Sequence, residues 1–151
     1  MDLRETLNLA VKEAMKARDS ARLSTLRMIG AAIKDKEIEL RATPGAAFGE
    51  PEILQLMAKM IKQRQESARV YTEGGRDELA QKELAEIRVI EEFLPRQLTA
   101  DEVASAIEAA IAEAGATSLR DMGKVMAVLK ARHTGQMDFG AAGALLKARL
   151  G

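Results

Sequence analysis

Phe93-Leu94-Pro95-Arg96-Gln97-Leu98-Thr99-Ala100-Asp101-Glu102 decides the architecture. Pro95 disfavours helical geometry at Leu94 and so ends whatever helix precedes it. Four residues on, Thr99 with Glu102 has the spacing of a capping box and opens a new helix. The stretch therefore reads as a stop, a short connection and a restart. Its position, about two thirds along a chain of 151 residues, predicts a larger N-terminal domain over 1–96 and a smaller one over 97–151.

On the N-terminal side every segment between breakers carries a helical period. Asp2 and Glu5 have capping-box spacing, and Leu3, Leu7, Ala10, Val11 and Ala14 share one face of a helix ending near Arg18. From Ser20 to Arg41, Leu26, Ile29, Ile33 and Leu40 align, with Arg27 and Lys34 along one flank. The run 42–49 is small and rich in breakers, a connection. Ile53, Leu56, Met57, Met60, Ile61, Ala68 and Tyr71 then define a long helix from Pro51 to Glu73, which Gly74-Gly75 stops. A fourth helix from Asp77 to Leu94 is expected to bury Leu79, Ile87, Ile90, Phe93 and Leu94.

On the C-terminal side Val103, Ile107, Ala110, Ile111 and Ala114 form the apolar face of the helix that Thr99 caps, and Gly115 ends it. Ser118 is expected to cap the next, turning Leu119, Met122, Val125, Met126 and Leu129 inward as far as His133. The last helix starts at Asp138 and aligns Phe139, Ala142, Leu146 and Leu150. The fold class is all-α: a four-helix N-terminal part with long helices, then a compact three-helix part. The composition agrees, because the hydrophobic fraction of 47% comes mainly from Ala, Leu, Ile, Met and Val, with 30% charged residues to cover long helices.

Composition also removes function classes. With no cysteine there is no disulfide framework, thiolate metal site, iron–sulfur cluster or cysteine nucleophile. No apolar run reaches membrane-spanning length, and the charged start at Asp2, Arg4 and Glu5 is unlike a signal peptide. A cytoplasmic protein without membrane contact is the expectation. Aromatic residues make up 3% of the chain and Trp is absent, so base-stacking modules are excluded and any RNA contact must be electrostatic. No glycine-rich phosphate loop or dinucleotide fingerprint occurs, and no cofactor is indicated.

Catalytic candidates are few. The single histidine, His133, stands at a helix C-terminus beside Lys130 and Arg132, where it complements the helix dipole, so no catalytic residue is assigned. Polar residues break the apolar stripes at Arg64, Glu83, Glu86 and, in the second helix, Glu37. Di-metal helical bundles need Glu-x-x-His ligands, which are missing, so no metal is assigned. The reading is a structural network in which Arg64 meets Glu83, Glu86 or Glu37. Gly74-Gly75-Arg76 is a tight connection that exposes Arg76 to a phosphate.

Charge placement says more than the net charge of zero. Residues 117–151 hold six cations against two carboxylates, while 97–116 hold four carboxylates and neither Lys nor Arg. Arg120 and Lys124, one helical turn apart and opposite Met122 and Met126, form a solvent-directed pair suited to a phosphate backbone, with Lys130 and Arg132 beyond them.

Asp121-Met122-Gly123-Lys124-Val125-Met126 resembles a segment of the GatB/YqeY family. Three other stretches agree with it in order: Leu26-Arg27-Met28-Ile29 through Lys34, then Lys62-Gln63-Arg64-Gln65-Glu66-Ser67 with Tyr71 and Gly74-Gly75-Arg76, then Leu94-Pro95-Arg96-Gln97-Leu98. The match is to the free-standing YqeY-like proteins. The resemblance implies a helical domain joined to a three-helix domain akin to the C-terminal tail of the GatB component of aspartyl/glutamyl-tRNA amidotransferase, which helps hold tRNA. One departure is Gly135-Gln136-Met137-Asp138, where the family commonly has Gly-x-Ala-Asp.

Three function classes follow from the residues and the resemblance together. The first is a non-catalytic accessory module binding tRNA through Arg120, Lys124, Lys130, Arg132 and Arg76. The second is an interaction module docking on a synthetase or an amidotransferase. The third, the family's label of carbon–nitrogen ligase with glutamine as amido-N-donor, finds neither a glutaminase nucleophile nor a nucleotide site here, and would need Arg64 and the Glu residues to face an open pocket.

Overall fold

The computed structural model describes residues 2–151 and is all-helical. The elements are α1 (Leu3–Ala17), α2 (Ser20–Arg41), α3 (Glu50–Glu73), α4 (Asp77–Glu91), α5 (Ala100–Ala114), a 3-10 turn (Leu119–Asp121), α6 (Met122–His133) and α7 (Phe139–Leu150). The chain divides into two compact units, one ending at Leu94 and one spanning Pro95–Gly151.

In the first unit α1 packs on α2, and α3 forms a long hairpin with α4, which also lies against α2. Ile29, Met57 and Ile90, from three different helices, are completely buried. Burying each such side chain is worth roughly 1.5–3 kcal/mol. The N-caps of α1 and α2 are side-chain carboxylates: Asp2 accepts from the Glu5 amide at 2.8 Å and Asp19 from the Arg22 amide at 3.1 Å. Helix α4 ends at Glu91 rather than Leu94, because Glu92, Phe93 and Leu94 close as turns ahead of Pro95. Phe93 and Leu94 still pack on this core. Leu79, expected inside, is 38% exposed; Ala80 takes the buried place in the first turn of α4.

The second unit has its own core, centred on Val125, Leu129 and Leu146. It begins two residues before the boundary read from the sequence, because the connection binds into it. Leu98 N–H donates to Gln136 O at 2.9 Å, Gln136 Nε2 returns a bond to Arg96 O at 3.2 Å, and Gln97 Nε2 donates to Gly135 O. Arg96 forks onto both oxygens of Glu102 at 2.8 and 2.7 Å, while Glu102 caps the Thr99 amide at 3.0 Å. Met137, the departure in the Gly135–Asp138 turn, is a core residue at 5% exposure.

Ser118 does not open α6. Asp121 reaches back to the amides of Thr117 at 2.9 Å and Ser118 at 3.4 Å, which tightens Leu119–Asp121 into the 3-10 turn. The tighter winding swings Leu119 outward to 45% exposure, correcting its assignment to the core.

Candidate nucleic-acid interface

The candidate surface is built on the 3-10 turn and α6. The amides of Thr117 and then Ser118, helped by nearby Lys124, hold the Asp121 carboxyl below its usual range, so it is ionised and fixes the turn. The turn exposes Arg120, and the first turn of α6 exposes Gly123 and Lys124. Val125 and Leu129 anchor α6 to its core, leaving Lys124, Ala127, Lys130 and Ala131 on the outer side. A Cβ at Gly123 would meet nothing within 4 Å, so this face is open as well as basic.

Arg120 and Lys124 are both exposed, but they do not share one α-helix, contrary to the expectation from their spacing. Arg120 lies in the 3-10 turn, and the change of winding at Met122 alters their relative direction. Arg132 is committed to Glu113 of α5 at 2.6 Å, and Arg149 to Glu108 at 2.6 Å. Each contact holds its carboxylate against the cation-rich helices. Among the described residues no ion pair engages Arg120, Lys130 or Lys147, and Lys124 has only the nearby Asp121. Lys147 of α7 is thus an exposed cation beyond the phosphate candidates read from the sequence; its signal was its place in the basic count of this end. Arg76 belongs to the first unit, at the N-cap of α4, where its amide donates to Tyr71 O at 2.8 Å.

Of the three carboxylates expected to meet Arg64, Glu86 is the one that does. Arg64 Nε donates to Glu86 Oε2 at 2.9 Å, Nη1 to Met60 O at 3.3 Å, and Nη2 lies 3.7 Å from Met28 Sδ. Glu83 is not bonded to it. Glu37 is elsewhere, paired with Arg4 at 2.9 Å and with Arg41 at 3.5 Å. The reason is distance along α2: Arg64 touches that helix at Met28, and Glu37 lies nine residues, about 13 Å, further on. Arg64 and Glu86 face each other within the unit at 15% and 14% exposure.

His133 Nδ1 is 2.9 Å from Gln136 Oε1, tying the end of α6 to the turn that receives the connection. Among the described residues no group of three or more His, Asp or Glu side chains is placed to hold a metal ion. No described helix is long and apolar enough to cross a membrane.

The family model of the Yqey-like protein matches residues 4–150. The chain belongs to that family. Among curated relatives, the Altered inheritance of mitochondria protein 41, mitochondrial, of Eremothecium gossypii is 34% identical over 109 residues, covering 71% of this chain and 58% of the relative. Its namesake in Meyerozyma guilliermondii is 37% identical over 89 residues, covering 59% and 44%. That of Saccharomyces cerevisiae (strain YJM789) is 32% identical over 84 residues, covering 56% and 44%. This YqeY-family chain spans about half the length of the curated relatives it matches. The names of these relatives correct the cytoplasmic expectation, since all three are mitochondrial proteins by name. A lack of cysteine excludes disulfides; it does not choose between compartments.

Proposed function

We propose that this YqeY-family protein is a non-catalytic accessory module that binds tRNA through the outer face of its second unit. The carrying observation is the division of its cations. Arg132 and Arg149 are spent on α5 carboxylates, whereas Arg120, Lys124, Lys130 and Lys147 are exposed on the 3-10 turn, α6 and α7. Uncommitted cations on rigid helices are what phosphate contacts require, and they release counterions from the nucleic acid on binding. Lys124 and Arg120 lead, Lys130 and Lys147 extend the face, and Arg132 and Arg76 are secondary.

The test is equilibrium binding of bulk tRNA to the full chain over a salt series, with Arg120→Glu/Lys124→Glu as the variant. Native protein is expected to bind at micromolar concentration or tighter. With three or four phosphates contacted, log K should fall with log salt at a slope of about −2 to −3.5. Loss of binding in the variant supports the site. Absence of native binding at low salt, or binding indifferent to the charge reversal, overturns it.

A second reading, docking on a protein such as a synthetase or an amidotransferase, is favoured by two apolar side chains of the same unit, Leu145 at 54% exposure and Leu119 at 45%. Capture of such an enzyme in the absence of RNA, lost in Leu145→Asp, is its discriminating result.

A further inference from the structure

We propose that the groove between α1 and α2 is a binding site for a small organic anion, one carboxylate or phosphate carried on a short apolar body. This site lies in the first unit and does not depend on the tRNA reading. The groove has a volume of about 370 Å³, at the small end of ligand sites. Arg4 and Asn8 of α1 and Lys34, Glu37 and Arg41 of α2 supply its polar lining, over apolar surface from Ile33 and Ile38.

Three observations select the ligand chemistry. The first is charge: three cations surround one carboxylate. Glu37 occupies Arg4 and, more loosely, Arg41, and no ion pair among the described residues engages Lys34. The groove is left positive, and its guanidinium groups match the geometry of carboxylate and phosphate oxygens. Arg4 is also held in place, because its guanidinium stands 5.4 Å from the centre of the Phe48 ring while it bonds Glu37.

The second observation is Gly30, which lines the groove in the middle of α2. A glycine inside a helix is destabilising relative to alanine. Packing does not demand it, since a Cβ there would meet nothing within 4 Å. Its effect is to leave open the space beside Lys34. The third observation is Ile38, a large apolar side chain left 50% exposed in a groove lined by cations. A bare inorganic anion would leave Ile38 in water, and a hydrocarbon would desolvate the cations without pairing them. An anion with an apolar body satisfies both.

The test is amide NMR titration of the full-length protein with octanoate and with octyl phosphate, kept below micelle-forming concentrations, and with acetate and inorganic phosphate as short counterparts. Saturable shifts are expected at Gly30, Ile33, Lys34 and Ile38, with the eight-carbon ligand at least about tenfold tighter than its short counterpart, an amount that two buried methylenes supply. The tighter of the two long ligands identifies the head group. Lys34→Gln should weaken binding several-fold. Gly30→Leu, which fills the groove, should abolish it, whereas Gly30→Ala should retain it with the native spectrum. Equal affinity for octanoate and acetate, shifts scattered over the surface, or unchanged binding by a folded Gly30→Leu overturns the proposal.

Discussion

Arg64 of α3 and Glu86 of α4 meet at 2.9 Å with side chains only 15% and 14% exposed, an ion pair largely enclosed within the first unit. Removing one partner strands the other charge in a mostly dry site, which costs more than the pair itself contributes. Arg64→Met is therefore expected to destabilise the protein by about 2–3 kcal/mol, and Glu86→Leu by a similar amount. The double variant should return to within about 1 kcal/mol of native, since the apolar pair removes both charges together. Urea unfolding of the four proteins measures the coupling. If the double variant loses the sum of the single losses, the contact has no special weight in joining α3 to α4.

The stability that Glu102 contributes at the start of α5 should be lost in acid. The fork of Arg96, then the Thr99 amide, holds the Glu102 carboxyl at about 2 against an ordinary value of 4.5. Above pH 4.5 the carboxylate is ionised in folded and unfolded chains alike, and its full benefit is present. As pH falls from 4.5 toward 2 the unfolded chain takes up the proton first, so that benefit is lost. A carboxyl titration followed by NMR should place the Glu102 midpoint near 2, and Arg96→Gln should move it upward. A midpoint in the ordinary range in the native protein would mean that the fork does not persist in solution.

Local chemistry made most of the fold legible, and it failed where an answer depended on how helices slide past each other. Thr99 with Glu102 fixed the start of α5 to the residue, because a capping box ties the Thr99 hydroxyl and amide to the third residue of the helix. The 3-10 turn was not legible, because Ser118 with Asp121 has the same spacing whether an α-helix or a tighter turn follows. Helical phase put Arg64, Glu83, Glu86 and Glu37 near apolar stripes. The partner was decided by the offset between α2, α3 and α4, which no single helix encodes. For the candidate interface, the count of cations was readable. Which of them α5 neutralises was not, because Glu108 and Glu113 reach Arg149 and Arg132 across the unit.

Arg18 offers a gain in stability. It closes α1 at φ 56°, the only described non-glycine residue with positive φ, and its amide donates to Ala14 O and Met15 O. An L side chain there is strained relative to glycine, the residue preferred at this position. Arg18 is exposed, so its side chain packs little. Arg18→Gly should raise stability by about 0.5–1 kcal/mol, after allowing for the greater freedom glycine gives the unfolded chain. Thermal unfolding monitored by circular dichroism checks it, with Arg18→Ala as the comparison that keeps a Cβ and should show no such gain.

Met137 carries the sharpest contrast between position and burial. It lies in the turn between α6 and α7, where no periodicity marks it as apolar core, yet it is 5% exposed and packs in the cluster with Phe139 and Leu146. The turn around it is tied down from both sides, by Leu98 N–H on Gln136 O and by Asp138, whose carboxylate caps the Gly140 and Ala141 amides at 3.2 and 3.3 Å. A tethered backbone cannot collapse into the space a smaller side chain leaves, so the cavity term adds to the lost burial. Met137→Ala should cost about 2–4 kcal/mol. Leu145→Ala, on a side chain 54% exposed eight residues further on, in α7, should change stability by less than about 0.5 kcal/mol. Urea melts of the two variants decide it: equal losses would mean that the turn relaxes around Met137 and that its burial contributes little to holding α7 in place.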